Sequence, residues 1–180
     1  MVRNNGKKYP SFFLFLLVLI FFTGCDFTPA QRAERAAEAK GDLFIGIVQT
    51  SLPSNFFLEG VNLAINEINQ QGGLLGRKLV PVIYDDHQGD AAEAERIART
   101  IAKNKDITAV IGHRVSSAAI PASIFYEQAG ILFISYGATD PALTQYSTHY
   151  TFRNIPTNND YGRAIAEFLH KKELKKTPKH

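Results

Sequence analysis

From Leu43 onward, short apolar runs alternate with amphipathic stretches, and this alternation constrains the fold more than any other feature. "LFIGIVQ" (Leu43–Gln49) reads as a buried strand, and "SLPSN" follows it as a loop. Phe57, Val61, Ala64, Ile65 and Ile68 then recur at helical spacing until Gly72-Gly73 stops the helix. "KLVPVIYDD" (Lys78–Asp86) is a second strand, and its Pro81 suits an edge or a bulge because it has no N–H to give a ladder. Asp90 is placed to cap a helix running to about Asn104, with Ala94, Ile97, Ala98 and Ile101 inward. "ITAVIG" is a third strand, and Ser116–Ala129 is a third helix, in which Pro121 fits the first turn or a kink. Ile131–Ser135 is a fourth strand, Tyr150–Ile155 predicts a fifth, and Asp160–Lys171 a last helix. Apolar strands separated by helices predict parallel βαβ units with right-handed crossovers. The fold class is α/β, a doubly wound, mostly parallel sheet with helices on both faces.

The start of the chain follows different rules. Arg3, Lys7 and Lys8 precede an uninterrupted apolar run from Phe12 to Phe22, then Thr23-Gly24-Cys25. A basic start, a short apolar core and small residues form an export signal, and the run is too short for a transmembrane span, which needs roughly 20 residues. "FFTGC" resembles a bacterial lipobox, with Cys25 as the lipidated residue; an ordinary signal peptide with a chance cysteine is the alternative. The expected organisation is a signal peptide over 1–24, a polar tether over 25–41, a folded lobe over 42–156 and a crossover beginning at 157–180. The net charge of +3 does not indicate a nucleic-acid face. Bases gather at the two ends, where 171–180 alone holds five lysines, while the middle is mildly acidic.

In open α/β sheets, ligands sit beyond the carboxyl ends of the strands, where "GHRVSS" and "SYGAT" fall. A helix N-terminus there offers unpaired N–H groups to an anion. Ser116 either caps its own helix or turns its hydroxyl to a bound carboxylate, and Thr139 either serves a ligand or caps the next turn. "GGLLGRK" (Gly72–Lys78) follows a helix and lacks the Ser or Thr of a phosphate loop, so it reads as a turn. "YDDH" (Tyr84–His87) puts Asp85, Asp86 and His87 together, which admits a metal-dependent α/β enzyme as a rival reading.

Three blocks, "INEINQQGGLLGRKLVPVIYDD", "VIGHRVSSAAIPASIFYEQAGILFIS" and "GATDPALT", together resemble the branched-chain amino-acid-binding proteins, the type I periplasmic receptors of ABC importers. The resemblance implies a non-enzymatic, exported solute receptor with no cofactor and no metal. Its partners are then a small solute such as an amino acid, an ABC permease, and a membrane reached through the lipid at Cys25. It places Ser116, Ser117, Gly137, Ala138 and Thr139 at the ligand: the Ser116 hydroxyl and the Thr139 N–H on an α-carboxylate, the Gly137 carbonyl and Thr139 hydroxyl on an α-ammonium. A sensory relative built on the same fold is the nearest alternative. Two features depart from the family: the loop "TSLPSNFF" is short, and Arg114-Val115 stand where small or apolar residues are usual. The resemblance also implies two lobes, so this chain is expected to hold most of the first.

Overall fold

Residues 28–51, 56–145 and 148–176 are described by a computed structural model; the signal stretch 1–24, Cys25 and loop residues 52–55 lie outside them. Strands β1 (Leu43–Gln49), β2 (Leu79–Asp85), β3 (Ile107–Gly112), β4 (Leu132–Ser135) and β5 (Thr151–Arg153) form one sheet in the order β2-β1-β3-β4-β5. Every pairing is parallel, with Gly46 opposite Val110 and Gly112 opposite Ser135. Pro81 sits in β2, an edge strand, as its missing N–H requires. The chain steps one way from β1 to β2, then reverses to β3, β4 and β5. Right-handed crossovers therefore place α2 (Phe57–Gln70) on one face and both α3 (Ala91–Lys103) and α4 (Ser116–Ala129) on the other. The reversal puts the switch point of the sheet between β1 and β3, and in sheets of this kind ligands bind beyond the carboxyl edge at that point.

The core lies under α3 and α4. Ile97, Ala98 and Ile101 of α3 meet Ala119, Ala122 and Tyr126 of α4 over Val48, Val110 and Phe133 of the sheet. Each large apolar side chain buried here is worth about 1.5–3 kcal/mol. Asp90 caps α3 as expected, its carboxylate accepting from Glu93 N at 2.7 Å. Pro121 lies past the first turn of its helix. It lies at the sixth position of α4, and the helix continues to Ala129. The carbonyl its ring deprives of a donor belongs to Ser117, an exposed residue. The remaining helices are α5 (Ala142–Gln145) and α6 (Asn158–Lys176), the latter with Tyr161, Ile165, Phe168 and Leu169 exposed.

The stretch expected to be a tether is instead folded onto the lobe. Pro29–Glu38 is a helix, α1, opened by a capping box: Gln31 N donates to Thr28 Oγ1 at 3.3 Å, and Thr28 N donates to Gln31 Oε1 at 2.9 Å. It docks through a cation. Arg32 is only 2% exposed, and its guanidinium donates to the carbonyls of Ala129 (2.8 Å), Asn104 (2.8 Å), Ile107 (2.6 Å) and Ala102 (2.8 Å). Two of those carbonyls, Ala102 and Ala129, belong to the last turns of α3 and α4, where helix dipoles present negative charge, and Asn104 is the C-cap of α3. Burial pushes the Arg32 pKa below its usual value, and the carbonyl fork offsets the lost hydration. Arg77 secures the other end of α1, donating to Ala36 O at 2.8 Å and Gly41 O at 2.6 Å. Gly130, at φ 66°, ends α4 and lies so near Pro29 that an added Cβ would come within 2.6 Å of Pro29 Cα.

Arg32→Ala is expected to lower the unfolding free energy by at least about 1–3 kcal/mol, the cost of stranding one buried acceptor. Arg32→Lys should recover little of that, because an ammonium does not reproduce the planar fork. Urea titration of the three proteins checks both; equal midpoints would show that the Arg32 side chain contributes nothing to the stability of the lobe.

Candidate functional site

Past the carboxyl ends of β3 and β4, a hydrogen bond from Asp140 N to the Ser116 hydroxyl joins the two following segments. Ser116, the first residue of α4, does not cap its own helix: the N-cap is Val115, which makes no side-chain cap bond. The Ser116 hydroxyl instead accepts from Asp140 N at 3.1 Å, reaching across to the loop after β4. A hydroxyl has one proton and two lone pairs, so accepting from Asp140 leaves its proton to be donated elsewhere. Ser117, beside it, is exposed.

That loop is built from its ends inward. Ser135 Oγ donates to His113 O at 3.1 Å and accepts from Ala138 N at 3.2 Å. Gly137 has no room for a side chain: a Cβ there would meet Arg114 O at 2.5 Å and Arg114 Cγ at 2.9 Å. Ala138 lies beneath the loop surface. It has no exposed surface, and its amide is committed to Ser135, so it shapes the loop from beneath. Thr139 is half-buried, and its carbonyl accepts from Asn158 N at 2.8 Å. Its N–H and hydroxyl have no hydrogen-bond partner among the described residues. Asp140 Oδ1 accepts from Ala142 N at 2.9 Å and so starts α5. Arg153 of β5 braces the whole turn, donating to Asp140 O at 2.8 Å, Ala138 O at 3.2 Å and Thr144 Oγ1 at 2.6 Å. Nothing in the sequence singled out Arg153, because an arginine in a short strand carries no signal for what it braces. An aromatic wall stands beside the loop, where Phe57 of α2 stacks on Tyr136 with centroids 3.8 Å apart and planes 7° apart.

Below the loop lies a buried polar cluster that the sequence reading missed. Asp86 and His113 are both fully buried. Asp86 accepts from Thr50 Oγ1 at 2.8 Å and Gly89 N at 3.1 Å, and its second oxygen lies 3.1 Å from His113 Nδ1. His113 Nε2 lies 2.9 Å from the Tyr126 hydroxyl. A carboxylate only accepts, so Nδ1 carries the ring proton and Nε2 accepts from Tyr126. Burial pushes the Tyr126 phenol well above its usual pKa, with neighbouring Asp86 adding to it, so the phenol keeps the proton it donates. His113 stands at φ 49°, a left-handed conformation that costs a non-glycine residue of order 1–3 kcal/mol. The available signal was positional: Asp86 and His113 are each the first residue past a parallel strand, so both belong to the same edge of the sheet.

This cluster also separates the residues of the rival metal reading. Asp86 turns inward to His113, while His87 is exposed. Asp85 accepts from the Ser51 hydroxyl and from His87 N at 2.9 Å; burial pushes its pKa up, and these hydrogen bonds outweigh that and bring it below the usual value. Among the described residues, no three His, Cys, Asp or Glu side chains converge on a metal position.

The family model for periplasmic binding proteins matches residues 30–177. The leucine-specific-binding protein of Salmonella typhimurium is 44% identical over 110 residues, which is 61% of this chain and 29% of that protein. A leucine-, isoleucine-, valine-, threonine-, and alanine-binding protein of Pseudomonas aeruginosa is 36% identical over 118 residues, 66% of this chain and 31% of that protein. Among solved structures, an ABC transporter substrate-binding protein from Desulfitobacterium hafniense in complex with Leu is similar at a TM-score of 0.69. It is 41% identical, over 73% of this chain and 39% of that one. The chain thus spans under a third of the length of these curated relatives. With the match covering most of its residues, the chain belongs to the periplasmic binding protein family.

Proposed function

We propose that this chain supplies one wall of an exported solute receptor that serves an ABC importer, with an amino acid as the solute. The observation that carries the reading is the meeting of Ser116 with the Asp140 amide next to Thr139, whose own N–H and hydroxyl are unspent. The Ser116 proton and the Thr139 N–H suit an α-carboxylate. The Gly137 carbonyl and the Thr139 hydroxyl suit an α-ammonium, and exposed Ser117 borders the same opening. Uncharged, prepositioned dipoles hold a zwitterion without burying a counter-charge, which is costly. The binding specificities named for the relatives agree with this choice of solute. Delivery by an ABC permease and attachment to a bacterial membrane through lipid on Cys25 complete the proposal.

Receptors that close over a solute gain affinity by excluding water. A solute on a single wall stays largely hydrated, so this chain by itself should bind L-leucine at about millimolar Kd, near −4 kcal/mol. Thr139→Ala should weaken that binding about tenfold, the loss of one hydrogen bond to a charged group. NMR titration with leucine reads both; micromolar binding by the wild type, or an unaltered affinity in the variant, overturns the respective statement.

Cys25→Ser should move the protein out of the membrane fraction or leave the signal uncleaved. Labelled palmitate that never enters the wild-type protein would refute the anchor.

A further inference from the structure

We propose that His113 is a positioning residue for the solute-binding wall: held left-handed by Asp86 and Tyr126, it sets Ser116 against the Asp140 amide. Its bearing on solute binding rests on the receptor reading above; its bearing on the wall rests on the contacts alone.

His113 controls both halves of the wall. Through the chain, it is the residue at which β3 ends and turns toward Arg114, Val115 and the start of α4, where Ser116 lies. Through space, its carbonyl accepts from Ser135 Oγ, which in turn accepts from Ala138 N in the loop after β4. The Ser116–Asp140 bond closes the ring between the two routes. A change in the His113 backbone therefore moves Ser116 and the Ala138–Asp140 segment relative to one another. A non-glycine residue persists in the left-handed region only where its surroundings over-determine it. Here the imidazole is fixed at both nitrogens, by Asp86 at 3.1 Å and Tyr126 at 2.9 Å, and by the edge of its ring against Phe133, centroids 5.7 Å apart. Asp86 is held in turn by Thr50 and Gly89, so the constraint spans the ends of β1, β2 and β3. A residue that merely filled the core would not need hydrogen bonds at both nitrogens, nor the left-handed backbone, nor the link from its carbonyl to the second loop.

The test compares the full chain in detergent micelles with three variants, His113→Ala, His113→Asn and Tyr126→Phe. Hydrogen exchange is read at the Asp140 amide and, as an internal reference, at the Ala94 amide of α3, which bonds Asp90 O at 2.9 Å. Local opening at Asp140 without global loosening should raise its exchange in His113→Ala by about tenfold relative to Ala94. Asparagine tolerates the left-handed region and offers Asp86 an amide N–H, so His113→Asn should restore most of the protection. Tyr126→Phe removes a single hydroxyl and should fall between them. If His113→Ala fails to fold, the other two variants decide. An Asp140-to-Ala94 ratio unchanged across the folded variants would make His113 a core residue with no positioning role. Leucine binding, measured on the same samples, should weaken in step with Asp140 protection; constant affinity across the series would overturn the link to binding. A wild-type chain that binds no amino acid would instead sink the receptor reading, while the exchange ratio would still decide the role of His113.

Discussion

A carboxylate sealed inside a protein has to be met by donors, and the carboxyl edge of this sheet is arranged around that requirement. Asp86 receives Thr50 from the end of β1, Gly89 from its own loop and His113 from the end of β3. Losing any one donor would leave part of a buried charge unmatched, so three segments far apart in sequence are held in one arrangement. The surface above them, Ser116 and the Gly137–Asp140 turn, is made of backbone groups and hydroxyls. Groups of that kind bind weakly unless they are held in place, and the charge beneath them holds the strand ends from which they project.

The opposite edge of the sheet uses the same physics with the sign reversed. There a cation, Arg32, is enclosed and met by four carbonyl oxygens from α3, β3 and α4. At both edges an ion is satisfied chiefly by oriented dipoles, and at both it joins elements that hydrophobic packing alone would leave free to slide. Exposed ion pairs such as Arg35–Asp106 at 2.7 Å and Arg99–Glu95 at 2.6 Å add little beside them. The apolar core sets which faces meet, and the two enclosed ions set where the edges stop.

The legible and illegible parts of the sequence divide along this line. Apolar runs and their spacing marked the five strands and the four longer helices from Leu43 onward, because burial of one face repeats with the period of the element. Pro81 identified an edge strand, since a missing donor has one meaning inside a sheet. Ser116 and Thr139 were legible as residues of one loop cluster, through their place after parallel strands and through the family resemblance. The docking of α1 was not legible. Its sequence is polar and alanine-rich, with no apolar stripe, because arginines, Arg32 above all, make the attachment, and an arginine in a sequence reads as solvent-exposed. The Asp86–His113–Tyr126 cluster was hidden for a related reason. Its members lie 27 and 13 residues apart, and nothing periodic joins them. His87, next in sequence to Asp86, drew attention that belonged to His113.

The docked α1 also changes the scale on which a membrane anchor acts. A free segment over 25–41 would let the lobe range several tens of ångströms from the bilayer. Helix α1 is capped at Thr28, only three residues beyond Cys25. Three Cα-to-Cα steps reach no farther than about 11 Å. If lipid is attached at Cys25, the amino edge of the sheet rides close against the headgroups. Ser116, at the opposite edge, would then lie on the side away from the bilayer. With lipid at Cys25, Arg32 would set not only the place of a helix but also how near the lobe stands to the bilayer.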